Sequence, residues 1–299
     1  MSKSKTFLKK ISVIGAGAVV ATMANVGAAS AQETIKVAAI DGYSPKSLWV
    51  KEFIDYYIPE IDKRLAKTGN YEIEWNQAWG QIVKVRGVLG GLDKGLGDIG
   101  VVTTVFHADK VPLQLVAYAT PFVTNDPGLV AKTVDDLANK HPQFKAAFTK
   151  FNQVYLTNLA VLVGRKIYEV APYMLKADLG TANSKVISVN ADSWKSYPEE
   201  VRNVMQEAAF DYRDRMASEA LKLADASYKA FTENGGKITV LSQEQRQQWA
   251  DNMPNVAADW AAARDKEGAP GTVVMKSYMD TMRAANQPIL RQWDKELGS

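Results

Sequence analysis

After Gln32, the spacing of apolar positions changes repeatedly between strand-like and helix-like. Residues 34–40 (TIKVAAI) form an apolar run, and residues 71–75 and 97–103 have the pattern of two more short strands. Between these runs, apolar residues recur at helical spacing over 48–66 and 81–94. This βαβαβ order predicts an α/β fold with a mainly parallel sheet covered by helices.

A long apolar stripe begins near Val201, continues to Phe231 and stops at a pair of glycines. Ser196 and Glu199 have capping-box spacing and predict the first turn of this helix. A helix of about 38 residues would be roughly 55 Å long, which exceeds the diameter of a small domain. Because strict heptads are absent, we expect a strut along the molecule rather than one half of a coiled coil.

The chain beyond this helix has a weaker pattern. Residues 237–241 predict a short strand, and Ser242 to Gln245 repeat the capping-box spacing. We expect the remainder to be helical, with breaks near Pro254 and over 268–271, where proline and glycine interrupt a helical pattern.

Residues 95–100 (GLGDIG) have the G-x-G-x-x-G spacing of a dinucleotide-binding loop. Such a loop must follow a strand and open a helix, because the helix N-terminus holds the pyrophosphate. Here the glycines follow a helical pattern and lead into a strand, and Asp98 would repel a phosphate. We therefore predict no nucleotide cofactor. The strand instead carries Thr103 and Thr104 to the carboxyl edge of the sheet.

Residues 1–31 have the three-part order of a secretory signal peptide. Four lysines come first, an apolar stretch from Ile11 to Ala24 follows, and Ala29-Ser30-Ala31 is a small-residue cleavage site. The apolar stretch is too short for a permanent membrane helix, so we expect cleavage after Ala31 and a periplasmic protein. The chain has 36 basic and 33 acidic residues, and without the four leader lysines it is close to neutral, which argues against a nucleic-acid surface.

The residue types that carry most enzyme chemistry are scarce. Cysteine is absent, which excludes disulfides, thiolate catalysis and cysteine-bound metals. The two histidines, His107 and His141, have no second histidine or carboxylate at metal-ligand spacing, and no G-x-S-x-G elbow offers a nucleophile. Carboxylate pairs lie at predicted helix starts, where the helix dipole stabilises them. We therefore expect no enzyme, no metal and no cofactor.

Polar and aromatic side chains follow each of the three predicted strands. The carboxyl ends of parallel strands meet at one edge of a sheet, which is where ligands of open α/β sheets bind. These side chains would supply aromatic walls and hydrogen bonds for a small ligand. The candidate ligand-binding residues are Tyr43, Trp79, Thr103, Thr104 and Phe106.

Three segments resemble the solute-binding proteins of TRAP transporters, of the dicarboxylate-receptor type. They are residues 95–102 (GLGDIGVV), residues 166–173 (KIYEVAPY) and the Asn190-x-x-Ser193-Trp194-Lys195-Ser196 stretch that precedes the long helix. The resemblance implies an exported receptor with two α/β lobes, joined by crossing strands and by a long helix lying along both. Such receptors capture an organic anion, usually a carboxylate, and deliver it to a small and a large integral membrane subunit.

One departure from the family concerns the second lobe. Where family members have several dozen residues, including an arginine that pairs with the ligand carboxylate, this chain has only residues 157–165. Arg165 matches the lead-in to the Tyr-Glu-Val motif, so the clamp role is not carried over to it. A buried carboxylate without a counter-charge is costly. We therefore expect weak ligand binding, if any, by the monomer.

These observations divide the chain into five segments. The expected segments are a signal peptide (1–31), a first lobe (32–156), a shortened remnant of the second lobe with a crossing strand (157–195), the spanning helix (196–235) and a C-terminal strand with helices (236–299). The periplasmic-binding-protein-like fold would thus have an abbreviated second lobe. The missing wall would leave apolar surface exposed.

Three alternatives remain open at the level of sequence. An ABC-type receptor would share the cleft but lack the spanning helix. A secreted hydrolase would place His107 beside a nucleophile and an acid. A structural remnant would associate with a second copy through the shortened lobe. The ligand itself could be a short dicarboxylate or an aromatic acid.

Overall fold

A five-stranded sheet organises the part of the chain that the computed structural model describes, residues 32–160 and 172–298. Its strands are β1 Glu33–Asp41, β2 Tyr71–Trp79, β3 Ile99–Thr103, β4 Gln153–Ala160 and β6 Asn183–Asn190. They lie in the spatial order β2-β1-β3-β6-β4. Two further strands, β5 Tyr173–Lys176 and β7 Lys237–Val240, form a separate parallel pair.

The sheet is mainly parallel, as the βαβαβ pattern predicts. Strand β1 pairs in parallel with β2 along its whole length and with β3 on its other side. Strand β6 runs antiparallel to both β3 and β4, and it is the one reversed strand of this sheet. The carboxyl ends of β1, β2 and β3 therefore lie at the same edge, next to the first residues of β6.

Helices make up most of the remaining described chain. They are α1 Leu48–Glu52, α2 Ile58–Leu65, α3 Val88–Asp93, α4 Pro127–Lys140, α5 Gln143–Thr149, α6 Ala191–Ser196, α7 Glu199–Glu233, α8 Gln243–Asn252, α9 Val256–Lys266 and α10 Gly271–Ala284. A π-helical turn (Phe53–Tyr57) joins α1 to α2, and 3-10 turns cover Thr104–His107, Pro112–Ala119 and Trp293–Glu296. None of the described helices is long and apolar enough to cross a membrane.

The alternation of strand residues separates two apolar cores. In β1, Val37 and Ala39 point towards the core that α1, α2 and α7 cover. Ile40 points to the opposite face, which α3, α4, α5, α9 and α10 cover. Both faces of the sheet are thus buried, which suits its near-continuous apolar strands. The chain from Gln32 onwards forms one compact unit.

The long helix is present but begins later than its sequence pattern predicts. Helix α7 has 35 residues and starts at Glu199, with Pro198 at the N-cap position and no side-chain cap. The predicted capping box at Ser196 is wrong, because the Ser196 hydroxyl donates to the Ser193 carbonyl at the end of α6. The second predicted capping box is confirmed: Ser242 and Gln245 each bond to the other's backbone N–H.

The predicted helix over 81–94 is also shorter in the structure. Only α3 is helical, and residues 80–87 form a loop instead. Gly42 packs so closely on this loop that an added Cβ would lie 2.4 Å from the Lys84 carbonyl carbon. The backbone of this loop therefore packs against the turn after β1, which a helical periodicity cannot reveal.

The glycine-rich stretch 95–100 has a structural role, as its position predicts. Gly95 follows α3 with a φ of 68°, a left-handed conformation that favours glycine. Gly100 lies against β1, where an added Cβ would come within 2.6 Å of the Ile40 carbonyl oxygen. Asp98 accepts the Ala38 backbone N–H at 2.7 Å and the Ser193 hydroxyl, so its carboxylate ties the sheet to α6.

Several sequence-based expectations lie outside the described residues. The signal peptide (1–31) is one of them, and so are Arg165 and most of the motif at 166–173. The division into lobes therefore stays a prediction.

Candidate ligand-binding site

The loops that follow β1 and β2 lie side by side at the carboxyl edge of the sheet. Asp41 and Trp79 are partners in the β1–β2 register, and the Gly80 N–H donates to the Asp41 carbonyl at 2.7 Å. An added Cβ on Gly80 would be 3.7 Å from the Tyr43 carbonyl oxygen. The parallel pairing thus places Tyr43 close to the chain that follows Trp79.

A buried lysine joins this edge from the neighbouring strand. Lys185 lies near the start of β6, opposite Thr103 in the antiparallel register with β3. Its Nζ donates to Thr103 Oγ1 at 3.1 Å and lies 3.8 Å from the Trp49 ring centroid and 5.2 Å from that of Tyr43. Only 4% of Lys185 is exposed. Lys185 therefore contacts both Tyr43 and Thr103, two of the predicted site residues.

The carboxylate of Asp41 shapes the other side of the same cluster. Asp41 is fully buried at the end of β1. Its Oδ1 accepts the Tyr43 backbone N–H at 2.7 Å, and its Oδ2 accepts the Trp49 indole N–H at 3.2 Å. The two bonds fix the turn after β1 and hold the Trp49 ring, whose edge meets the Tyr43 ring with centroids 4.6 Å apart.

Burial disfavours the charged form of both ionisable groups in the cluster. Burial raises the pKa of the Asp41 carboxyl to about 6, although the Tyr43 N–H and the Lys185 charge act in the opposite direction. Burial lowers the pKa of the Lys185 ammonium to about 8, and the Asp41 charge partly offsets this. At neutral pH both groups are charged, so the cluster contains a desolvated cation beside a desolvated anion.

The other predicted site residues follow the same strand ends. Half-buried Trp79 meets the Phe53 ring edge-on at 5.6 Å and donates from Nε1 to Gln77 Oε1 at 3.1 Å. Thr104 is buried in the 3-10 turn after β3, and its Oγ1 has no hydrogen-bond partner within the described part of the chain. Half-buried Phe106 lies in the same turn, with the Arg86 guanidinium 4.8 Å above its ring.

Sequence reasoning missed three central members of the cluster. Asp41 has the appearance of an ordinary turn residue, and Trp49 that of a core residue of a helix. Lys185 does carry a local signal, because it lies two and four residues before Ile187 and Val189 and shares their buried face. A charged residue at a core position of a strand is unusual and indicates a partner or a function.

Burial lowers the pKa of both histidines, His107 and His141. His107 is buried in the 3-10 turn after β3, and burial, with a further contribution from the Lys110 charge, lowers its pKa. Over residues 32–160 and 172–298, no group of three His, Asp or Glu side chains could hold a metal ion.

A surface groove of about 220 Å³ lies elsewhere, between α5 and the loop that joins α9 to α10. Leu113 and Ala147 contribute to its floor, and its charged lining residues, such as Lys110 and Lys150, are exposed. Exposed charges are screened by water and salt. The buried charges at Lys185 therefore make the sheet edge the stronger candidate.

Comparison with known proteins gives a family match over part of the chain and a set of similar folds. Residues 155–263 match the family model of bacterial extracellular solute-binding proteins, family 7. The sequence matches no curated protein. One similar structure is a TRAP periplasmic solute-binding protein of Desulfovibrio salexigens, with a TM-score of 0.68, 15% identity and alignment over 84% of this chain and 96% of that one.

Two other similar structures contain bound acids. A Bordetella bronchiseptica TRAP periplasmic solute-binding protein, with bound (R)- and (S)-mandelate, has a TM-score of 0.67 at 12% identity, over 84% of this chain and 99% of that one. A Rhodoferax ferrireducens TRAP solute-binding protein, with copurified benzoate, has a TM-score of 0.65 at 11% identity, over 84% and 98%.

The fold therefore defines a class: this is a periplasmic-binding-protein-like α/β protein with a mainly parallel sheet and a long helix. Within that class, residues 155–263 carry the sequence pattern of family 7 of the bacterial extracellular solute-binding proteins, so the resemblance to TRAP receptors is confirmed. The matched family is one of binding proteins, in agreement with the expectation that the chain is not an enzyme.

Proposed function

We propose that this chain is the exported solute receptor of a TRAP-type secondary transporter, which captures a small organic anion without catalysis. The observation that carries the proposal is Lys185, a buried cation at the edge where three parallel strands end. The family match and the acids named for the similar structures support the same ligand class. Long helix α7 favours this reading over an ABC-type receptor, for which we expect no such helix.

The ligand would lie at the sheet edge, beside the predicted site residues. Tyr43, Trp79 and Phe106 would provide aromatic walls, and the hydroxyls of Thr103 and Thr104 would provide hydrogen bonds. The Thr104 hydroxyl is a good candidate because it lacks a partner within the described chain. A buried polar group without a partner costs free energy until a ligand or a water satisfies it.

Export and delivery complete the proposed role. We infer that residues 1–31 are removed after Ala31 and that the mature chain works in the periplasm with the integral subunits of a TRAP transporter. Mass spectrometry of the protein recovered from a periplasmic fraction tests the first step. The expected N-terminal residue is Gln32, and an intact leader would contradict it.

Ligand affinity should be moderate, because an abbreviated second lobe would leave one side of the site uncovered. We expect a dissociation constant between about 1 µM and about 1 mM, which corresponds to roughly −8 to −4 kcal/mol. Calorimetry of the mature chain against benzoate, mandelate, succinate and neutral benzamide tests the proposal. Saturable binding of at least one acid, with no binding of benzamide, is the expected result. No binding of any acid would contradict it.

A second candidate role is self-association through the region of the shortened lobe. Tyr173 of β5 and Val240 of β7 are 74% and 60% exposed, and Leu175 is 51% exposed. Exposed apolar side chains grouped on one element are typical of interaction surfaces. Sedimentation at several concentrations distinguishes the two roles, because a receptor remains monomeric whereas an associating chain increases in mass with concentration.

A further inference from the structure

The hydrogen-bonding capacity of Lys185 is mostly unused. An ammonium has three donors. Within the described residues, Nζ donates to a single acceptor, Thr103 Oγ1, while the aromatic rings of Trp49 and Tyr43 provide its other close contacts. A ring face attracts a cation but accepts no strong hydrogen bond. A buried ammonium with spare donors is a ready partner for an anionic oxygen.

We infer that Lys185 is the anion-anchoring residue of this chain and that its site selects a monocarboxylate with a flat aromatic body over a dicarboxylate. The inference rests on the proposed function and names the substrate class of the same site. It places the counter-charge for the ligand carboxylate on β6 and not on Arg165, to which the resemblance to the family carries no clamp role. The lysine ammonium is a compact charge, whereas an arginine guanidinium is planar and can donate two parallel hydrogen bonds to a carboxylate.

The side chains around the ammonium favour an aromatic ligand body. Tyr43 is the most exposed of the three groups that contact Nζ, because Trp49 and Thr103 are almost fully buried. A ligand would therefore have to approach the ammonium from the Tyr43 side. Half-buried Trp79 and Phe106, at the ends of the adjacent strands, offer ring surface for stacking or edge-on contact with an aromatic ligand.

Asp41 sets the charge that the site can accept. Its carboxylate is fully buried at the same edge, and it interacts electrostatically with Lys185. The pair is close to neutral before a ligand binds, so one carboxylate makes the site anionic by one charge. A second carboxylate would add repulsion from Asp41, and no further buried cation among the described residues of this cluster would oppose it.

The titratable groups around Lys185 predict the direction of its pH dependence. They are Asp41 on β1, Tyr43 in the following turn, Glu52 on α1 in an ion pair with Arg215 of α7, and Tyr212 on α7, whose pKa burial raises well above its usual value. Burial lowers the pKa of Lys185 to about 8, so its ammonium loses its proton as the pH rises through this value. A bound carboxylate favours the ammonium, so binding takes up a proton near pH 8 and weakens as pH rises.

Calorimetry of the mature chain with benzoate and succinate as probes tests this inference. Wild type should bind benzoate at least about tenfold more tightly than succinate, and Lys185→Met should lose at least about tenfold in benzoate affinity. Asp41→Asn should reduce the preference for benzoate over succinate, because the repelling charge is gone. The preference is a ratio of two affinities. A general loosening of the turn after β1 would weaken both ligands alike and would therefore leave this ratio unchanged.

Two further measurements separate binding from folding. If Lys185→Met unfolds, the double variant Asp41→Asn/Lys185→Met replaces it, because removal of both charges avoids an unpaired buried carboxylate. The double variant should fold and should also fail to bind benzoate tightly. In wild type, benzoate affinity should fall about tenfold between about pH 7 and about pH 9, and calorimetry in buffers of different ionisation enthalpy should record proton uptake near pH 8.

The outcomes distinguish this inference from the proposed function. If wild type binds succinate as tightly as benzoate, or if a folded Lys185→Met variant binds benzoate within about threefold of wild type, the inference is overturned while the receptor role stands. A benzoate affinity that does not change with pH would overturn the inference as well. If wild type binds no acid, both fail.

Discussion

The two halves of α7 differ sharply in their surroundings. In residues 199–220 a buried side chain recurs every three or four positions: Val201, Met205, Ala208, Ala209, Tyr212, Met216, Ala217 and Ala220. In residues 221–233 only Phe231 is buried, and Leu221 is 46% exposed. The same helix is therefore a core element along its first half and mostly a surface element along its second half.

Specific polar contacts follow the same division. In the first half, the Tyr212 hydroxyl donates to the Trp49 carbonyl, and the Tyr57 hydroxyl donates to the Met205 carbonyl. In the second half, the contacts are local or peripheral, as with Lys176 Nζ 5.0 Å from the Tyr228 ring. The contrast shows that the first half of α7 is anchored by the sheet that carries the candidate site, whereas the second half is mostly exposed.

The largest expected change in the free energy of unfolding comes from replacing a tyrosine of α7, and the two halves of the helix each offer one. Tyr212→Ala should destabilise the protein by about 3–5 kcal/mol, because it removes a fully buried aromatic ring. Tyr228→Ala, in the second half, should cost less than about 1 kcal/mol, because it removes mainly one cation–π contact. Urea denaturation of both variants is the measurement. Equal losses would contradict the division of the helix.

Each half of α7 also has an ion pair, and the loss of stability on removing one or the other should differ less. Arg213 donates to buried Asp135 at 2.8 Å and ties α7 to α4, so Arg213→Ala should cost about 2 kcal/mol. Lys229 lies 3.8 Å from Glu233 with both side chains exposed, and Lys229→Ala should cost no more than about 0.5 kcal/mol. Thermal denaturation at low and high salt compares them. A costly Lys229→Ala would show that the second half has a partner in solution.

The smallest effect should come from Leu221→Gln at the start of the second half. Because Leu221 is half-exposed, the free energy of unfolding should change by no more than about 0.5 kcal/mol. The same substitution at buried Met216 gives the control, with an expected loss of about 2 kcal/mol or more. If Leu221→Gln lowers the sedimenting mass at high concentration, the exposed half is an association surface.

The sequence predicts the framework of the molecule better than its site. Strand runs, helical spacing and their order suffice for a parallel β1–β2–β3 arrangement and for the long helix, because these features are periodic and local. The prediction of helix ends is less accurate. Ser196 has capping-box spacing, yet its hydroxyl donates to the backbone of α6. Residues 81–87 form a loop whose backbone packs on the turn after β1, and not the predicted helix.

The site depends on contacts that local patterns do not contain. Thr103 and Lys185 are 82 residues apart and meet only through the antiparallel pairing of β3 with β6. Strand ends alone predict the five candidate site residues, and this pattern does not contain the lysine that contacts two of them. Their role in ligand binding stays a prediction, as do the lobe boundaries.

The central claim is that Lys185 binds the ligand carboxylate, and a crystal structure of the mature chain with benzoate would test it. The account predicts a carboxylate oxygen within about 3 Å of Lys185 Nζ, with the ring of the ligand against Tyr43 and Trp79. A benzoate carboxylate bound by another cation, with Lys185 still sealed between Thr103 and Trp49, would contradict it.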